Sequence, residues 1–137
     1  MLKLSSQQYA GVVASLQSAA EAAGSDKRRC SRMEVQAPVK LGIMADNEVT
    51  ACVVALLRDV SSTGVGLYQA PKFGPNEMFL ISLPYGKKPM VIVCTATFCR
   101  PLADGIYCAG ARFESEADAA KTEEFRAMAE AAAEIAA

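Results

Sequence analysis

Hydrophobic and polar residues alternate with two different periods along this chain, and the changes of period divide it into three parts. From about Leu4 to Ala23, Tyr9, Val12, Leu16, Ala19 and Ala23 recur three and four residues apart, the spacing of one face of a helix. Ser5 or Ser6 supplies an N-cap and Gly24 a stop. From Glu34 the period falls to two: Val35, Ala37, Val39, Leu41 and Ile43 alternate with Gln36, Lys40 and Gly42, as in a strand with one buried face. Further β-like runs cover Val49–Leu57, Gly64–Tyr68, Met78–Leu83, Met90–Phe98 and Ile106–Phe113, separated by turn residues at Pro71, Gly74-Pro75, Pro84-Tyr85-Gly86 and Asp104-Gly105. The helical period returns from about Ser115, where Phe125, Met128, Ala132 and Ile135 form a stripe that leaves Glu123, Glu124, Glu130 and Glu134 off it. Ser115 with Asp118 three residues on predicts a capping box and an acidic first turn.

Six short strands with short links predict a mainly β chain, an antiparallel barrel or closely packed sheet, flanked by a helix at each end. Each terminal stripe reads first as a packing face and second as a partner surface, because an Ala-rich amphipathic helix needs something to pack against. At 137 residues, 52% hydrophobic and 21% charged, the chain has enough material for one domain with its own core. No run approaches the ~18 to 20 apolar residues that span a bilayer, and Ser5-Ser6-Gln7-Gln8 interrupts any signal-like stretch. The expected location is the cytoplasm.

Charge changes the picture locally. The net charge is only −1, yet Lys27, Arg28, Arg29 and Arg32 crowd into six residues, while seven acidic residues from Glu114 onward face only Lys121 and Arg126. A basic patch on an otherwise acidic chain points to a local anion site more than to a broad nucleic-acid surface. The five cysteines are odd in number and form no Cys-x-x-Cys, and there is no histidine, so the common zinc spacings are absent and no metal site is expected. Most of these cysteines read as small core hydrophobes. Cys30 alone lies among positive charges that would favour its thiolate.

The chemistry concentrates in two short patterns. Arg28-Arg29-Cys30-Ser31-Arg32 contains Arg-x-x-x-Arg, and Asp59-Val60-Ser61-Ser62-Thr63-Gly64 contains Asp-x-Ser-x-x-Gly. From this composition chance supplies about 0.4 matches of the first pattern but only about 0.02 of the second. Arginine forks match phosphate oxygens and the O6 and N7 edge of guanine, and their planes stack on flat rings. A carboxylate at Asp59 accepts from guanine N–H donors, Ser61 bonds a phosphate or braces the turn, and Gly64 permits positive φ or a close backbone approach.

In this order, and with Gly110-Ala111-Arg112-Phe113 closing the last β-like run, the two patterns resemble the PilZ domain, a bacterial receptor module for cyclic di-GMP. The resemblance covers about residues 27–130. It implies a six-stranded PilZ-like barrel over 25–137, preceded by a helical extension over 1–24. It further implies that Arg28 and Arg32 grip the ligand's guanine and phosphate groups, with Arg29 in support, and that Asp59, Ser61 and Gly64 form the facing half of the site. Lys27 occupies the position that, in this family, influences whether one or two nucleotide molecules stack. The function implied is that of a non-catalytic effector, with cyclic di-GMP as ligand rather than a cofactor, that passes its signal to a partner protein or to another copy through the terminal helices.

Enzymatic readings lack support: without histidine there is no Ser-His or Cys-His pair, and no phosphate loop of the GxxxxGK type occurs. A small barrel that binds single-stranded nucleic acid is the main competitor. It would interleave aromatic residues with positive charge, whereas aromatics make up 7% of this chain and Trp is absent. A structural adaptor of the same fold without nucleotide binding is the third reading.

Overall fold

The computed structural model describes residues 2–22 and 33–136, with side chains over 2–17 and 37–131. Helix α1 (Ser6–Ala22) is followed by six strands, β1 (Met33–Ala45), β2 (Glu48–Val60), β3 (Gly64–Ala70), β4 (Met78–Leu83), β5 (Met90–Ala103) and β6 (Ile106–Glu116), and then by helix α2 (Ala119–Ala136). The strands close into an antiparallel barrel in the order β1-β2-β3-β6-β5-β4, with β4 pairing back onto β1. The mainly β barrel with two flanking helices is therefore the fold that the alternation predicts.

Period-two alternation becomes burial in a simple way. Ala37, Val39 and Leu41 of β1 point inward with Ala55, Leu57 and Val60 of β2, and they meet Phe79, Ile81 and Leu83 of β4 across the interior. Lys40, between two inward residues, is exposed. The β1–β2 hairpin turns at Asp46-Asn47, both with positive φ (51° and 64°), the backbone that tight hairpins require and that Asp and Asn tolerate better than most residues. At the β5–β6 hairpin Gly105 takes φ 75°.

The two helices close different surfaces. Leu4, Val12 and Leu16 join the same buried cluster as the barrel interior, so α1 plugs one end. Its start is a reciprocal capping box: Gln8 N–H donates to Ser5 Oγ at 3.1 Å and Ser5 N–H to Gln8 Oε1 at 3.0 Å. Gly11 leaves a notch for the Tyr85 ring, and Gly86 N–H donates to Ser15 Oγ at 3.0 Å. Helix α2 lies outside the barrel, where Phe125 packs with Val49 and Leu80 in a second buried cluster. Gly42 makes room for it: a Cβ there would stand 3.2 Å from both the Phe125 ring and Leu80 Cβ.

One expectation at this end is corrected. Ser115 is not part of a helix cap, because β6 runs on to Glu116 and Ser115 pairs with Val93 of β5. Asp118 caps α2 by itself, its Oδ1 accepting from Lys121 N–H at 2.7 Å, and the first turn of the helix carries no acidic residue. Among the described residues no helix is long and apolar enough to cross a membrane, and no cluster of His, Cys, Asp or Glu could hold a metal ion. Burial pushes the Cys94 thiol well above its ordinary pKa, which fits a core hydrophobe.

Phe125→Ala is expected to cost about 3 to 5 kcal/mol of unfolding free energy by opening the space between α2 and the barrel, and Asp118→Ala about 1 kcal/mol by removing the cap. Urea denaturation of both variants measures this; equal losses would contradict the assignment of α2 packing to Phe125.

Candidate functional site

The site begins with an irregularity in β2. Leu57 pairs with Leu67 and Asp59 with Gly66, so Arg58 is an extra residue on the β2 side of the ladder. Leu57 and Val60 both point into the core. The bulge therefore lets two consecutive side chains, Arg58 and Asp59, share the outer face. Asp59 is thus a strand residue at the end of β2, ahead of the turn itself.

Arg58 and Asp59 hold each other. Arg58 Nε donates to Asp59 Oδ2 at 2.8 Å, and Asp59 is only 7% exposed. The guanidinium lies over Gly66, where a Cβ would meet Nη2 at 2.5 Å. It also reaches Cys108 Sγ at 3.0 Å and stands 5.7 Å from the centre of the Tyr68 ring. Partial burial works against the Arg58 charge, but the hydrogen bond and charge of Asp59, with smaller contributions from Cys108 and Tyr68, outweigh it and hold the group above its ordinary pKa.

The turn that follows is built around Ser61. Its N–H donates to Gly64 O at 2.9 Å, and its Oγ accepts from Thr63 N–H at 3.3 Å and from Gly64 N–H at 3.2 Å. Ser61 thus braces the turn. Gly64 is required by close approach: a Cβ there would run into the carbonyl oxygen of Ala111 on β6. Positive φ is not the reason, since among the described glycines only Gly86 and Gly105 adopt it.

Beyond the turn the outer face is floored by glycine. Gly66 of β3 pairs with Gly110 of β6, and Gly110 with Phe98 of β5. The Phe98 ring occupies the space a Cβ at Gly110 would need, and the Arg100 guanidinium stands 5.0 Å from the ring centre. A groove of about 180 Å³ results, bounded by Arg58, Thr63, Gly64, Phe98, Gly110 and Arg112 among others. Arg112 is turned toward Glu114, whose carboxyl is held below its usual range by hydrogen bonds from Arg112 and from Thr95.

The structure brings Asp59, Ser61 and Gly64 together at the end of β2 and the turn after it, and of the three Gly64 lines this groove. Lys27, Arg28, Arg29, Cys30 and Arg32 lie outside the described residues. Their point of attachment does not: Met33 pairs with Val60 and Glu34 with Asp59, so the chain following Arg32 enters the barrel beside the turn. Sequence reasoning missed Arg58, Gly66, Phe98 and Arg100. A glycine within each of two strands was the available signal, since strand glycines often mark close approach.

A family model described as PilZ domain matches residues 26–130. No curated protein matches the sequence. Among solved structures, the chain is similar to the Bacillus subtilis inhibitor of motility MotI/DgrA, at 10% identity and a TM-score of 0.44, with 78% of this chain and 52% of that one covered. It is also similar to K. pneumonia MrkH in its apo state, at 13% identity and a TM-score of 0.46, with 74% and 50% covered. The chain spans about half the length of each of these two proteins. With the family model covering all six strands and most of α2, this chain belongs to the PilZ domain family.

Proposed function

We propose that this protein is a non-catalytic cytoplasmic receptor for cyclic di-GMP, with residues 25–137 forming the receptor domain and residues 1–24 an extension of it. The β1–β2 register carries the reading: the Arg-x-x-x-Arg segment ends one residue before Met33, which pairs beside Asp59. Beside that point lie a turn whose backbone is fixed by Ser61 and the Gly66–Gly110 pair, which admits the Arg58 guanidinium and the Phe98 ring.

Each group has a task. Arg28 and Arg32, with Arg29 in support and Lys27 tuning stoichiometry, neutralise phosphate oxygens and bind guanine edges. Asp59, oriented by Arg58, accepts from guanine N–H donors. The Phe98 ring, which lines the groove, offers an apolar aromatic surface to a base. A groove of about 180 Å³ is smaller than the roughly 300–1,000 Å³ of pockets that enclose a drug-sized ligand. The barrel face thus supplies one wall, and the arm supplies the other. Occupancy is then transmitted to a partner protein or a second copy.

Titration calorimetry with cyclic di-GMP is expected to give micromolar or tighter binding, with Arg28→Ala, Arg32→Ala and Asp59→Ala each weakening it by about thirtyfold, or roughly 2 kcal/mol. Folded variants that all bind like the wild type would refute the site. Single-stranded RNA serves as the comparison: tight RNA binding without a cyclic di-GMP signal would favour the nucleic-acid reading.

Phe98→Ala is expected to cost about 1 to 3 kcal/mol of affinity if the ring stacks on a base. Phe98→Tyr retains the ring and should recover most of the loss. Equal losses in the two variants would remove the stacking role.

A further inference from the structure

The N-terminal segment lies outside the family match, which begins at residue 26, yet it touches the ligand turn directly. Leu4 N–H donates to Ser62 O at 2.7 Å, and Leu2 N–H donates to Phe113 O at 3.0 Å. Phe113 N–H in turn donates to Thr63 O at 2.8 Å. Successive carbonyls at the tip of the turn are thus held from two sides, Ser62 by the N-terminal segment and Thr63 by β6. Ser61 braces the turn internally, while these two bonds fix it relative to the barrel.

Leu4 is well anchored for this purpose. Its side chain is buried in the barrel core together with Val12 and Leu16 of α1 and with Val60 and Phe113. Ser5, the next residue, caps α1. The segment cannot slide along the turn without disturbing the docked helix. At its other end α1 leads through residues 23–32, which carry Arg28 and Arg32, to Met33 beside Val60. The docked element therefore holds the turn half of the proposed site by hydrogen bond.

We infer that the Leu2–Ser5 segment, held by α1, is a positioning clamp for the Ser61–Gly64 turn, so that docking of α1 and binding of cyclic di-GMP reinforce one another. This rests on the cyclic di-GMP reading. Leu4 acts through Ser62 and the turn, without contacting ligand. Because coupling between two equilibria is reciprocal, ligand must tighten the clamp by the factor by which the clamp tightens ligand. Any partner that draws residues 2–5 off the barrel would release nucleotide, and nucleotide would oppose that partner.

The test uses the full chain and three variants. Leu4→Pro removes the N–H that Ser62 accepts, Leu4→Met keeps it with similar buried bulk, and Val49→Ala loosens the separate cluster under α2, away from α1 and the turn. Calorimetry with cyclic di-GMP is expected to show about a tenfold weaker Leu4→Pro, most of the affinity recovered in Leu4→Met, and Val49→Ala binding like the wild type despite a lower melting temperature. Leu4→Pro binding like the wild type, or Val49→Ala losing as much affinity as Leu4→Pro, would overturn the clamp. If Leu4→Pro does not fold, amide exchange in the wild type decides: Leu4 N–H should exchange more slowly with saturating cyclic di-GMP, and equal exchange in both states would overturn the coupling. If the wild type binds no cyclic di-GMP, the functional reading fails by itself. The clamp is then read without ligand, where faster exchange at Thr63 and Gly64 in Leu4→Pro than in Val49→Ala supports it and equal exchange overturns it.

Discussion

A closed barrel of six strands has room inside for side chains and little else, and this constraint governs the rest of the molecule. Inward positions alternate between large residues such as Phe79, Phe113 and Leu67 and small ones such as Ala37, Ala55, Ala96, Ala109 and Ala111. With the interior filled, nothing can bind there. A ligand must use the outer face or an end. One end is plugged by Leu4, Val12 and Leu16, and part of the outer face is covered by Phe125 of α2. The β2-β3-β6-β5 face carries the groove bounded by Arg58, Gly64 and Phe98.

Two backbone devices make that face usable. The bulge at Arg58 interrupts strict alternation, so that a cation and a carboxylate from neighbouring positions both face outward and orient one another. The glycines supply the floor. Gly66 admits the Arg58 guanidinium, Gly110 admits the Phe98 ring, and Gly64 lets the turn press against Ala111. A Cβ at any of the three would displace a wall of the site, so groove shape depends on residues that have no side chain.

Much of the fold was legible because alternation is a local signal. All six strands and both helices fall where the hydrophobic period placed them, and their ends moved for identifiable reasons. β2 runs on past Leu57 because the bulge lets Asp59 and Val60 keep pairing with Glu34 and Met33. β6 runs through Ser115 because Val93 is there to pair with it. Of the site, the Asp59–Gly64 half was legible as a motif, since its spacing is short and improbable. The Arg58–Cys108 contact, the Gly66–Gly110 pair and the Phe98 ring over Gly110 were not, because each depends on cross-strand register between residues far apart in sequence. The bond from Leu4 to Ser62 was hidden for the same reason, being a backbone contact that no side-chain pattern encodes.

The central claim is that cyclic di-GMP binds on the glycine-floored face between the Asp59–Gly64 turn and Phe98. Backbone amide chemical shifts followed through a titration with cyclic di-GMP test it most directly, because they report where on the barrel the ligand lands. The account predicts the largest changes at Ser61–Gly64, Gly66, Phe98 and Gly110, with Phe125 of α2 and the Val49 and Leu80 beneath it nearly unmoved. Changes centred on the α2 side, around Lys40, Ser82 and Arg126, with the turn unaffected, would contradict it.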